Sequence, residues 1–95
     1  MDAIEKTEAA FQRLMVAMET IANCGRWESA EEFEAEAPEV ANHIERLLTD
    51  ISEAQFVAQV TGDTAAAAQA LLNTEMVERV EMVEAYTATI GSGLA

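Results

Sequence analysis

The chain is 95 residues long and half apolar, with eighteen carboxylates against five cationic side chains and a formal charge of −13. Its length argues for a single domain over residues 1–95, and so large an apolar fraction excludes a disordered acidic tail. The charge sets electrostatics against direct binding to nucleic acid or to an anionic membrane, since both attract the opposite sign.

Alanine, glutamate, leucine and methionine dominate, all good helix formers, and one proline with four glycines leaves little material for β-turns. The expected class is all-α. A first helix is predicted over about residues 3–23, capped by Asp2 and stopped at Gly25. At 100° per residue Ile4, Phe11, Met15, Met18 and Ala22 fall on one arc, widened by Ala10, Leu14, Ala17 and Ile21. So wide a face suits a helix at the centre of a bundle. Ser29-Ala-Glu-Glu32 reads as a capping box that starts a short helix carrying Phe33. Pro38 disfavours helical geometry at Ala37 yet suits the first turn of a second helix, which runs to about Thr61 with Gly62 as its stop. The spacing Phe33, Ala37, Val40, Ile44, Leu47, Ile51 continues across the proline, so a single kinked helix over 30–61 is the alternative. Asp63 caps a third helix over 64–90, with Leu72, Met76, Val80, Val83 and Ile90 as its core stripe. Gly91-Ser-Gly93 should end it, leaving 91–95 as a flexible tail. A three-helix bundle packed as a helical homodimer fits these elements.

Candidate chemistry is sparse. Glu75, Glu78, Glu81 and Glu84 recur every third residue, but that step sweeps them around the face opposite the core stripe, so they read as solvated. Glu39 and His43, one turn apart, are the residues from which a carboxylate and histidine metal site would be built, in a metal-binding helical bundle. Val40 stands where the Glu-x-x-His signature would need its glutamate, so no cofactor is expected. Cys24 is the only cysteine, which excludes an intramolecular disulfide and a cysteine metal knuckle. It is expected to be buried at a helix C-terminus, where the dipole disfavours a thiolate. With one histidine and no phosphate-binding glycine loop, the chain is not expected to be an enzyme. The opening Met-Asp-Ala-Ile-Glu-Lys lacks a secretory pattern, and no apolar run approaches the roughly 20 residues of a bilayer span, so a cytoplasmic location is expected.

Two places carry an interaction reading. Between Trp27 and Val40 lie Glu28, Glu31, Glu32, Glu34, Glu36 and Glu39 with no Lys or Arg. Acids interleaved with Trp27 and Phe33 can dock a basic protein surface, with the aromatics as anchors. Glutamates every third residue lie about 4.5 Å apart along a helix axis, against about 3.4 Å per phosphate on one DNA strand, a spacing that permits phosphate mimicry. Phe56, Val57 and Val60 project from the nominal solvent face of the second helix as an apolar contact patch for dimerisation or for the same partner, and Leu71 with Met82 forms a smaller one.

In size, charge and helicity the chain resembles small acidic helical inhibitors and chaperones, including phage proteins that block nucleic-acid-binding machinery. The run Glu78 to Tyr86 is similar to ferritin-like helices, except that Met82 stands where a histidine ligand would be. The expected function is therefore a non-enzymatic adaptor, chaperone or inhibitor that engages a basic partner. The alternatives are the metal-binding bundle and a structural subunit whose acidity serves solubility.

Overall fold

The computed structural model describes residues 2–93, and the side chains of residues 2–90. Every regular element among them is a helix: α1 (Ala3–Asn23), α2 (Ala30–Glu36), α3 (Pro38–Thr61), α4 (Thr64–Leu72) and α5 (Met76–Gly93). No helix among these residues is long and apolar enough to cross a membrane.

Local chemistry places most of the boundaries. Asp2 Oδ1 accepts the Glu5 N–H at 2.8 Å and Asp63 Oδ1 accepts the Ala66 N–H at 3.0 Å, each satisfying a donor that a helix start leaves free. Ser29 Oγ accepts the Glu32 N–H at 3.3 Å, while Glu32 Oε2 takes the Glu28 N–H at 2.9 Å, one residue before the donor of a standard capping box. Ala37 leaves helical geometry (φ −129°, ψ 64°), and Pro38 opens α3. The proline thus separates two helices rather than kinking one. Gly62 closes α3 at φ 73°, a left-handed conformation that glycine adopts without penalty, and its N–H reaches Ala58 O at 2.9 Å.

The third predicted helix is in fact two. The Thr74 hydroxyl donates to Leu71 O at 2.5 Å, the Thr74 N–H reaches the same carbonyl at 3.1 Å, and Glu75 adopts φ 65°. Side-chain competition for the backbone ends α4, and a left-handed non-glycine residue redirects the chain into α5. The break resets the helical phase: Leu71 is buried and Leu72 half-buried, the reverse of the expected order. Leu71 therefore forms no surface patch with Met82, which does stay exposed. At the other end α5 continues through Gly93, past the expected stop at Gly91, and the remaining residues of the expected tail, 94–95, lie outside the described residues.

Leu14, Leu47, Met76, Val80 and Val83 are the largest fully buried side chains, and no polar or charged residue among those described is buried. They come from α1, α3 and α5. The α4–α5 pair packs against both α1 and α3, whereas no Cα of α1 comes within 8 Å of one in α3. The broken rod, not α1, is therefore the centre of the bundle. With one neighbouring rod instead of two, α1 buries a narrower face, centred on Ala10, Leu14 and Ala17. Met15, on the expected arc, is 44% exposed and Ala22 is exposed. Any homodimer contact lies outside a single chain.

Glu75→Gly separates the broken rod from the continuous helix by the sign of its effect. At a left-handed position glycine relieves roughly 1 kcal/mol of steric strain, and its greater unfolded-state entropy offsets part of that gain. Inside a helix the same change costs about 0.5–1 kcal/mol. We expect the urea midpoint of Glu75→Gly to equal or exceed that of the parent, and a clear fall contradicts the break.

Candidate functional site

The acid-rich segment is fixed to the rest of the fold by an aromatic cluster. Trp27, in the connection after α1, meets Phe33 of α2 edge-on at 5.0 Å between ring centroids and stacks on Tyr86 of α5 at 6.3 Å. Phe33 and Tyr86 are 6.1 Å apart. Such pairs add about 0.5–1.5 kcal/mol beyond area burial, enough to hold a seven-residue helix that is too short to be stable alone. Glu36 ties the cluster to charge: one carboxylate oxygen accepts from Arg26 and the other from the Trp27 indole N–H. The Arg26 guanidinium, and after it the indole N–H, hold the Glu36 carboxyl below the usual carboxylate range. Burial pushes the Tyr86 phenol up.

This arrangement divides the sequence-predicted partner residues into two sets. Phe33 is 9% exposed and belongs to the core under α2, so it is not an available anchor in this conformation. Glu32 and Glu36 are committed to the cap and to the aromatic cluster. Glu28, Glu31 and Glu34 are exposed and make no ion pair among the described residues, and Trp27 is half-buried with part of its surface accessible. Tyr86, which nothing in the sequence connects with the acidic segment, is the remote residue that pins it. Nothing local to 27–39 could have disclosed it.

A groove of about 640 Å³ opens beside the cluster, between the C-terminal half of α1 and the N-terminal half of α3. Met18 and Ile21 form one wall, Ile44 and Leu48 the other, and Trp27 and Phe33 close one end. The carboxylates in its lining are Glu28, Glu34 and Glu45, with no cationic side chain among them. A smaller groove of about 310 Å³ lies between the opposite ends of the same two helices, with Ala67, Ala68 and Leu71 of α4 in its lining. Both exist because α1 and α3 do not close on one another.

Elsewhere the charges are sparsely neutralised. Arg13 binds both carboxylate oxygens of Glu84, with its Nε 3.0 Å from Oε2, and holds that carboxyl below its ordinary range. Arg46 Nε lies 3.6 Å from Asp50 Oδ2 without a hydrogen bond. With Arg26–Glu36, three carboxylates are paired and fifteen of the eighteen carry no ion pair among the described residues. Of the regular row on the third predicted helix, Glu75 has left the helix and Glu84 is paired, so only Glu78 and Glu81 remain as a solvated helical face. Glu39 is exposed and His43 half-buried, and among the described residues no three His, Cys, Asp or Glu side chains gather as a metal site. Cys24 is half-buried rather than buried, its thiol 3.2 Å from Ile21 O. Phe56 and Val60 are 66% and 68% exposed at the end of α3, with Val57 between them also exposed.

Comparison with protein-family models, with curated proteins and with solved structures finds no match.

The sole tryptophan reports directly on this site. Because Glu36 is held below the usual carboxylate value, its stabilising contribution is complete above the unfolded-state value of about 4.3 and is lost as pH falls through the lower folded value. Trp27 fluorescence should therefore stay constant down to about pH 4 and change below it. In Glu36→Gln that acid transition should be absent. An identical transition in parent and variant contradicts the Glu36–Trp27 contact.

Proposed function

We propose that the chain is a non-enzymatic interaction protein that binds a basic surface of a partner protein, as an adaptor, chaperone or inhibitor. What supports this reading best is one observation: fifteen carboxylates carry no ion pair among the described residues, three of them (Glu28, Glu31 and Glu34) exposed on the short segment fixed by Trp27, Phe33 and Tyr86. Carboxylates left without internal partners are desolvated least and steer a cationic partner most. Against the expected roles of all seven residues, the reading assigns partner contact to Glu28, Glu31, Glu34 and the exposed part of Trp27. Phe33, Glu32 and Glu36 hold the segment in place. A groove that normally receives a nucleic-acid backbone is one surface of suitable charge, and the cytoplasm is the expected place of action because a lone thiol and no disulfide suit a reducing compartment.

Self-association belongs to the other end of the molecule. Phe56, Val57 and Val60 expose apolar area that a second copy would cover, and small domains commonly gain stability in this way.

Charge reversal at Glu28, Glu31 and Glu34 should abolish partner binding while leaving the helical circular dichroism intact, because none of the three side chains caps a helix or forms an ion pair among the described residues. The measurement is capture from a lysate of the source cells. The parent should retain a basic protein that about 1 M salt releases, since screening there acts beyond about 3 Å, and the triple Glu→Lys variant should retain none. Equal capture by both contradicts the reading. Sedimentation equilibrium tests the other end: the parent is expected to be a dimer and Phe56→Lys with Val60→Lys a monomer of unchanged helicity. A monomeric parent rules the dimer out.

A further inference from the structure

We infer that the larger groove between α1 and α3 receives a basic amphipathic helix of the partner, apolar face inward. The inference deepens the proposed function and rests on it. Three features of the groove select this occupant. Its walls are apolar, built from Met18, Ile21, Ile44 and Leu48, and Leu48 is 38% exposed. Its only charges are Glu28, Glu34 and Glu45, all exposed and without ion pairs among the described residues. Its wall on α3 runs from Ala41 to Leu48, a rise of about 10 Å or two helical turns. A helix laid along it would meet the walls with apolar residues at i, i+3, i+4 and i+7 and place lysines or arginines on its flanks against the three glutamates.

A second copy of this chain is a poor occupant. Each copy carries −13, and the apolar end it could offer, Phe56, Val57 and Val60, is bracketed by Glu53 and Asp63. Seating that end would set carboxylates against carboxylates around a low-dielectric groove. A purely charged chain is no better, because it would leave the apolar walls wet. The occupant needs both characters.

The test uses the full chain and two synthetic peptides of identical leucine and lysine composition. In one the leucines fall at i, i+3, i+4 and i+7; in the other the same residues are shuffled. By calorimetry the patterned peptide should bind at least about tenfold more tightly, since burying even one further leucine is worth that much. Ala22→Gln with Leu48→Gln puts amides on the groove walls without changing charge, and should reduce the patterned peptide to the affinity of the shuffled one. Val16→Gln, on an exposed face of α1 outside the groove, should bind as the parent does. Equal binding of the two peptides by the parent overturns the groove inference and leaves the acidic-surface reading standing. Binding of neither overturns both. A parent dimer that Ala22→Gln with Leu48→Gln splits assigns the groove to a second copy and also overturns the inference.

Discussion

The structure depends on the packing of one broken rod between two long helices. Met76, Val80 and Val83 of α5 are fully buried against Leu14 of α1 and Leu47 of α3, and α4 touches the same two helices further along. Because the rod keeps α1 and α3 from approaching within 8 Å, apolar side chains on their facing sides are only partly covered. In a closed three-helix bundle those side chains would bury one another, at roughly 1.5–3 kcal/mol for each large one. Leaving them open forgoes stability in a domain already too small to have much to spare. A groove is what remains.

The charge distribution follows from the same geometry. No carboxylate residue is fully buried in so thin a core, although Asp50 is largely covered, and fifteen of the eighteen find no cation among the described residues. Mutual repulsion opposes the compact state. Two of the pairs that do form fix structure: Arg13–Glu84 joins α1 to α5, and Arg26–Glu36 joins the connection after α1 to α2 beside Trp27. The acidic segment is therefore stiff at its base and unpaired at its edge. That combination suits recognition, because little ordering entropy remains to oppose binding.

Much of this was legible in the chain, and what was not has a common cause. Asp2, Ser29, Asp63, Pro38, Gly25 and Gly62 announce their boundaries because caps and φ restrictions act over three or four residues. Asn73-Thr74-Glu75 contains neither glycine nor proline, and the Thr74 hydroxyl bond to Leu71 O is one that Thr7 and Thr87 also make inside unbroken helices, so the break was not legible. From that single break follow the displaced stripe at Leu72 and the burial of Leu71, whereas the expectation that α1 is central rested on the width of its own apolar face. The acid-and-aromatic segment was legible as an unusual place, but the division of labour within it was not. Phe33 turns inward because Tyr86, fifty-three residues away in sequence, waits to receive it.

Disulfide reach tests the separation of α1 and α3 directly. Two cysteines bridge only when their Cα atoms lie within about 7 Å. In a Cys24→Ser background, the pairs Met18→Cys with Ile44→Cys and Ala22→Cys with Ala41→Cys span the groove between helices whose Cα atoms come no closer than 8 Å. Under mild oxidation both double variants should keep their free thiols while remaining helical. Rapid, complete bridging of either pair in the folded protein would mean that the two helices close on one another, and that no groove is held open between them.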